Sequence, residues 1–181
     1  MINVLSGKCT TEIDNPIKTY PFPLDDFQKH SHYCISKKEH VLVTAHTGSG
    51  KTVVADYAIA QCLSENKRVV YTSPIKTLSN QKYKEFSDTY PSVGIMTGDI
   101  KLNIDAQCVI MTTEILRNLL YKDESQIEDE FKNFMNNVDC VIFDEVHYIN
   151  DPNRGEVWET CLILMPKRIY MVMLSATIDK S

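Results

Sequence analysis

The chain has no apolar stretch long enough to span a membrane. Its first residues, Met-Ile-Asn-Val-Leu-Ser-Gly-Lys, lack the apolar core of a signal peptide. It has no Cys-x-x-Cys pair. Its six cysteines are scattered at positions 9, 34, 62, 108, 140 and 161, and they read as buried free thiols in a reducing compartment. His30 and His32 form a His-x-His pair with no ligand cluster around them, so no metal site is expected there. Basic excess is also missing. Nineteen Lys and Arg face 24 Asp and Glu, for a net charge of −5. A polycationic nucleic-acid sponge is thereby excluded, and any grip on phosphate must be local. There is no internal repeat. The 181 residues suit one domain that buries roughly 70% of its unfolded surface. Only the first dozen residues read as disordered.

Ala45-His-Thr-Gly-Ser-Gly-Lys-Thr52 has the composition of a phosphate-cradling loop. Gly48 and Gly50 lack a Cβ, so the chain can curl tightly and approach a ligand. Thr47, Gly48, Ser49 and Gly50 form the cradle. Lys51 reaches the β- and γ-phosphates, and the Thr52 hydroxyl suits magnesium. The apolar run Val41-Leu42-Val43 precedes the loop as a strand. A helix follows, with Val54, Ala58 and Cys62 spaced along one face. The general pattern starts with Gly, where this chain has Ala45. Cys140-Val-Ile-Phe143 is a second apolar strand, and Asp144 and Glu145 follow it. Asp144 can hold magnesium opposite Thr52, and Glu145 can orient or deprotonate a water. The implied cofactors are ATP and Mg2+.

Strands are expected near 40–45, 68–72, 93–96, 107–111, 140–144 and 169–174. Helices are expected near 50–64, 76–87, 114–121, 125–137 and 155–164. Thr112 or Thr113 could cap the third of these helices. The alternation predicts an α/β fold with a mostly parallel sheet and a ligand at the carboxyl ends of its strands. The acidic stretch 122–137 reads as a solvated surface helix.

Several further segments, in this order, resemble the superfamily 2 DExH-box RNA helicases, in their superkiller, exosome-associated branch. Tyr20-Pro-Phe-Pro-Leu-Asp-Asp-Phe-Gln28 is similar to the adenine-reading segment. Thr72-Ser-Pro-Ile-Lys-Thr-Leu-Ser-Asn-Gln-Lys-Tyr83, Gly94-Ile-Met-Thr-Gly-Asp99 and Met111-Thr-Thr-Glu-Ile-Leu-Arg117 resemble three strand-contacting motifs. Asp144-Glu-Val-His-Tyr-Ile-Asn150 with Arg154-Gly-Glu-Val-Trp158 is similar to the acidic box and its continuation. Ser175-Ala-Thr177 looks like the motif that couples nucleotide state to lobe movement. The likeness runs from about Tyr20 to Thr177, and residues 1–19 read as an extension before a RecA-like P-loop NTPase lobe at 20–181.

The resemblance implies roles. Gln28 would read the adenine edge and Phe22 would stack on the base. His147 would link the ATP site to neighbouring segments. Pro74, Lys76, Gly98, Thr113 and Arg117 would hold single-stranded RNA by its backbone, and Ser175 and Thr177 would couple the lobes. Lys82 and Lys84 fit a solvated helix face as well as a phosphate contact. The chain ends four residues after Thr177, so the second lobe and its arginine finger are expected to be absent. A finger is worth about 10³–10⁵ in rate, and the lobe alone would turn over very slowly. An intracellular setting, nuclear or cytoplasmic and cell- or virus-encoded, and an RNA-decay complex fit this reading. Two others stay open: a non-catalytic, nucleotide-dependent RNA-binding module, and a lobe of a related DNA helicase.

Overall fold

The computed structural model describes residues 3–121, 134–152 and 154–176. Seven strands form one sheet in the order β1-β7-β6-β2-β5-β3-β4. They are β1 (Val41–Ala45), β2 (Arg68–Ser73), β3 (Val93–Met96), β4 (Lys101–Leu102), β5 (Cys108–Thr112), β6 (Val138–Phe143) and β7 (Tyr170–Ala176). Every pairing is parallel except β3 with β4. The α/β class and parallel sheet expected from the sequence are found. The two-residue β4 is exposed and lies outside those expectations.

Helices α1 (Asp26–Ser36), α2 (Lys51–Ser64) and α3 (Lys76–Ser87) contribute to one core cluster, with Ile35, Val54, Ala58, Cys62 and Phe86. Helices α4 (Thr113–Tyr121) and α5 (Gly155–Leu164) contribute to the other, with Leu116, Leu119, Trp158 and Cys161. Strand periodicity divides β2 between them: Val69 and Tyr71 face the first cluster, and Val70 the second. β2, β3 and β5 are buried along their whole length, as a doubly covered parallel sheet requires. All six cysteines are free thiols, and Cys62, Cys108, Cys140 and Cys161 are buried. Among the described residues no helix is long and apolar enough to cross a membrane. Of the helix expected at 125–137, residues 134–136 are described and helical. The acidic part before them lies outside the described residues.

α1 was not anticipated from the sequence. It starts with a capping box: the Asp25 N–H donates to Gln28 Oε1 at 2.9 Å. α1 and α2 both end in Schellman motifs. Lys38 and Asn66 take the left-handed conformation, while Glu39 N–H donates to Cys34 O and Lys67 N–H to Cys62 O. The Lys38 ammonium then pairs with Glu65 at 2.6 Å and Asp139 at 2.8 Å, joining both helix ends to the start of β6.

His32 of α1 is 2% exposed and stacks on Tyr57 of α2, with ring centroids 4.1 Å apart. Burial pushes its pKa down to about 4, outweighing the opposing effects of the Val53 carbonyl and Asp56. The folded value is therefore the lower one. Between pH 6.5 and 4 the unfolded chain binds the extra proton. The contribution of neutral His32 is complete above about pH 6.5 and is lost as pH falls, by about 3 kcal/mol in all. His32→Gln is expected to flatten this part of the stability curve, measured by urea unfolding between about pH 7 and about pH 4.5.

Candidate nucleotide and nucleic-acid site

The loop between β1 and α2 turns on two left-handed glycines, Gly48 at φ 80° and Gly50 at φ 85°. A Cβ on Gly50 would also stand 2.7 Å from Gln28 Nε2. Gly50 is the N-cap of α2 and supplies no side-chain cap. The helix therefore presents uncapped N–H groups and its positive dipole end to the loop. Lys51 Nζ donates to Ala45 O at 2.7 Å and His46 O at 2.8 Å, so the ammonium is folded back inside its own loop. Ser49 Oγ is buried without a hydrogen-bond partner.

Across the sheet end stand the acids. Asp144 follows β6, and its N–H donates to Thr72 O at 3.0 Å, prolonging the pairing with β2. Asp144 Oδ1 accepts the Glu145 N–H at 3.0 Å, and Oδ2 accepts the Tyr71 hydroxyl at 2.5 Å. Burial and the Asp144 carboxylate raise the Tyr71 pKa well above its ordinary value, so the phenol stays a donor. Glu145 is left-handed at φ 55°. Its Oε2 is buried without a hydrogen bond, 3.3 Å from His147 Nδ1. The same nitrogen lies 3.4 Å from the Ala176 N–H. His147 lies in a 3-10 turn, Val146–Asn150, which the sequence reading missed. It links the acids to the end of β7. Thr44 and Ser175 are register partners, so the Ser175 segment lies beside the phosphate loop. Thr177 lies outside the described residues.

Gln28, expected to face adenine, is 4% exposed and spans α1 and the phosphate loop. Its Nε2 donates to Gly50 O at 3.1 Å while Oε1 serves the capping box. Phe22 is 45% exposed, with its ring 5.6 Å from that of Tyr20. Both rings line a groove of about 420 Å³ together with Lys18, Leu24, Lys29 and His32. The Asp56 carboxylate of α2 ties this segment down, accepting from Lys18, Tyr20 and Tyr90.

The expected strand-contacting residues follow β2, β3 and β5. The Lys76 ammonium pairs with Asp99 at 2.5 Å and lies 3.4 Å from the Cβ position of Gly98, so these segments meet. Pro74 is buried, and its carbonyl accepts from Arg154 at 3.4 Å. Thr113 is 2% exposed and spends its hydroxyl on Ser73 O at 3.3 Å. Arg117 sits one turn further along α4 and bonds Asn118. Lys84 is exposed. Lys82 is different: its side chain is 16% exposed, and Nζ lies 2.8 Å from Glu85 and 3.5 Å from Thr52 Oγ1. It faces the nucleotide side rather than solvent.

A parallel sheet whose strand ends carry a phosphate loop, an uncapped helix and two acids defines a P-loop NTPase lobe. A family model described as DEAD/DEAH box helicase matches residues 25–181, and the chain belongs to that family. It is 55% identical over 166 residues to "mRNA transport homolog 4" of Caenorhabditis elegans, covering 92% of this chain and 15% of that one. It is 51% identical over 164 residues to exosome RNA helicase MTR4 of Homo sapiens, covering 91% and 15%. With antiviral helicase SKI2 of Saccharomyces cerevisiae the figures are 49% over 171 residues, covering 93% and 13%. The chain thus spans about 15% of the length of the curated relatives it matches. Among solved structures it is similar to Mycobacterium smegmatis helicase Lhr bound to ssDNA and AMP-PNP, with TM-score 0.64 and 26% identity over 84% of this chain and 22% of that one. It shares the fold of helicase MrfA bound to DNA and AMPPNP, with TM-score 0.69 and 19% identity over 96% and 27%.

The residues fit a nucleotide with its magnesium. Ser49 Oγ and Glu145 Oε2 are buried polar atoms that lack partners, the start of α2 is uncapped, and Lys51 is held by loop carbonyls alone among its described hydrogen bonds. Lys51→Ala is expected to weaken nucleotide binding by at least about 100-fold, since charge-assisted hydrogen bonds contribute about 1.5–3 kcal/mol each. Calorimetry with ATP checks this, and unchanged affinity would remove the loop from phosphate binding.

Proposed function

We propose that residues 20–181 are the first RecA-like lobe of an ATP-dependent RNA helicase, preceded by an extension at 1–19, and that the whole protein couples ATP hydrolysis to movement along or unwinding of RNA. The carrying observation is the meeting of phosphate loop, acid pair and strand-contacting segments along one row of strand ends. Identity of about half to relatives named as RNA helicases favours RNA over DNA. A second lobe, an RNA-decay complex and an intracellular setting belong to this reading.

The bound group would supply the reactive phosphoryl and the cation that neutralises it. Lys51, now held by the carbonyls of Ala45 and His46, would reach the β- and γ-phosphates. Loop N–H groups of Thr47 to Gly50 and the start of α2 would hold the same oxygens. Thr52 and Asp144 would hold the magnesium. Glu145 orients the attacking water and takes its proton at Oε2, the atom left open in this structure. His147 passes the position of the acids to the end of β7, where Ser175 and Thr177 meet the other lobe. On the RNA side, a phosphate replaces Asp99 as the partner of Lys76, and Arg117 adds a second cation. Pro74 just before α3, Gly98 in the turn between β3 and β4, and Thr113 at the start of α4 contribute through backbone, as sequence-independent contacts do. The Thr113 hydroxyl stays with Ser73.

Gln28 reads adenine by giving up one of its two present bonds, and Phe22 covers the base. An amide matches the donor and acceptor edge of adenine, where guanine presents an acceptor instead of the donor. ATP is therefore expected to outcompete GTP for this chain, and Gln28→Ala to erase the difference in a fluorescent-nucleotide competition assay. Equal competition by GTP in the parent would exclude Gln28 from base recognition.

Glu145→Gln in a two-lobe protein is expected to keep ATP binding and lower turnover by at least about 100-fold. The RNA complex should become long-lived, because release follows hydrolysis. ATPase rate and RNA dwell time measured on the same variant check this. Hydrolysis near the parent rate would remove Glu145 from the mechanism.

A further inference from the structure

Tyr71 stands inside β2 with 1% exposure, its ring edge-on to Phe86 at a centroid distance of 5.2 Å. Its hydroxyl reaches across to β6 and lies 2.5 Å from Asp144 Oδ2. A carboxylate only accepts, so the phenol donates. The second oxygen of Asp144 is held by the Glu145 N–H, and its backbone N–H by Thr72 O, the residue after Tyr71. Asp144 is thus fixed at three atoms, two of them by consecutive residues of β2. Each carboxylate oxygen still has a lone pair to spare.

Resting on the reading of Asp144 as the acid that holds magnesium, we propose that Tyr71 is a positioning residue for the metal: its hydroxyl sets the orientation of the Asp144 carboxylate. β2 is not the phosphate-loop strand. It is the strand that runs on through Ser73 and Pro74 into α3, so the metal-holding acid takes its aim from the element that leads to the strand-contacting segment. Freezing a ligand before binding lowers the entropy lost on binding. Groups that hold metal ligands from behind typically matter by about 10–100-fold in metal affinity.

The test is a magnesium titration of fluorescent-ATP binding to this 181-residue chain, run beside binding in EDTA, for the parent, Tyr71→Phe, Asp144→Asn and the double variant. Tyr71→Phe keeps the ring and its contact with Phe86 and removes only the donor. It is expected to raise the magnesium midpoint by about tenfold with affinity in EDTA unchanged. In the Asp144→Asn background the same change should have no further effect. A parent-like magnesium midpoint in Tyr71→Phe, beside a loss of magnesium dependence in Asp144→Asn, would overturn the role of Tyr71 and leave the magnesium site standing. Equal weakening with and without magnesium, or a Tyr71→Phe chain that does not fold, would overturn it too, because the hydroxyl would then serve the fold. A parent whose nucleotide binding ignores magnesium would remove the site reading itself.

Discussion

β2, β3 and β5 are buried along their whole length because helices cover both faces of a parallel sheet. Polar groups that must meet a ligand can leave such a sheet only at the strand ends, and parallel strands bring their carboxyl ends to one edge. The register aligns the ends of β6, β2, β5 and β3, and β7 and β1 run three residues further, from the level of Met173 and Leu42 to Ala176 and Ala45. Ala45 is opposite Ala176, Ser73 opposite Thr112, and Met96 opposite Met111. Phosphate loop, acids, Ser175 segment and strand-contacting segments all start there. Their proximity in space, despite wide spacing in the chain, follows from this one constraint.

The order β1-β7-β6-β2-β5-β3 splits the edge into two halves. The segments proposed to handle nucleotide follow β1, β7 and β6, and those proposed to contact the nucleic-acid strand follow β2, β5 and β3. The halves meet where β6 lies beside β2, and polar ties concentrate at that seam. Tyr71 and Thr72 hold Asp144, and Arg154 holds the Pro74 carbonyl. Lys82 extends from α3 of the strand-contacting half to Thr52 of the nucleotide half. In the proposed function, a change in occupancy on one side would act on atoms hydrogen-bonded to the other, with no long relay between them. This is the spatial arrangement that coupling of two ligands requires, since each must contact an element the other also biases.

Long apolar strands were legible because burial on both faces leaves an unbroken run, as in Val141-Ile-Phe143; Val41-Leu42-Val43 shows the same run at the sheet edge, although Leu42 is 59% exposed there. The phosphate loop was legible because few residue types permit its turns. What escaped depends on contacts distant in sequence or on residues with two uses. Asp25-x-x-Gln28 is a capping box that announces α1, yet the same glutamine stands in the adenine-reading resemblance, and only that second meaning was read. Lys82 could not be aimed from its helix, because Ser79 and Phe86 are the buried residues of α3 and so weak a stripe does not fix which side faces inward. The burial of the Thr113 hydroxyl is set by Ser73 on a neighbouring strand, forty residues away. The role of Tyr71 is hidden for the same reason, since inside an apolar strand it reads as one more core aromatic.

Glu145 shows what the fold tolerates for the sake of the site. A non-glycine residue held left-handed costs about 1–3 kcal/mol, and leaving a buried polar atom without a partner costs about as much again. Both penalties fall on this residue. The nearest side-chain groups are shared: His147 Nδ1, 3.3 Å from Oε2, also meets the Ala176 N–H, and the Tyr71 hydroxyl is engaged by Asp144. Ser49 Oγ repeats the pattern within the phosphate loop, and Lys51 meets it from the cationic side, resting on carbonyls rather than on an acid. The anion and the cation at the head of the sheet are thus each kept from neutralising the other. Buried side-chain atoms without a partner also occur within α2, at Tyr57 Oη and Gln61 Oε1. What marks this edge is the combination of the left-handed Glu145, the open Ser49 hydroxyl and the carbonyl-held Lys51.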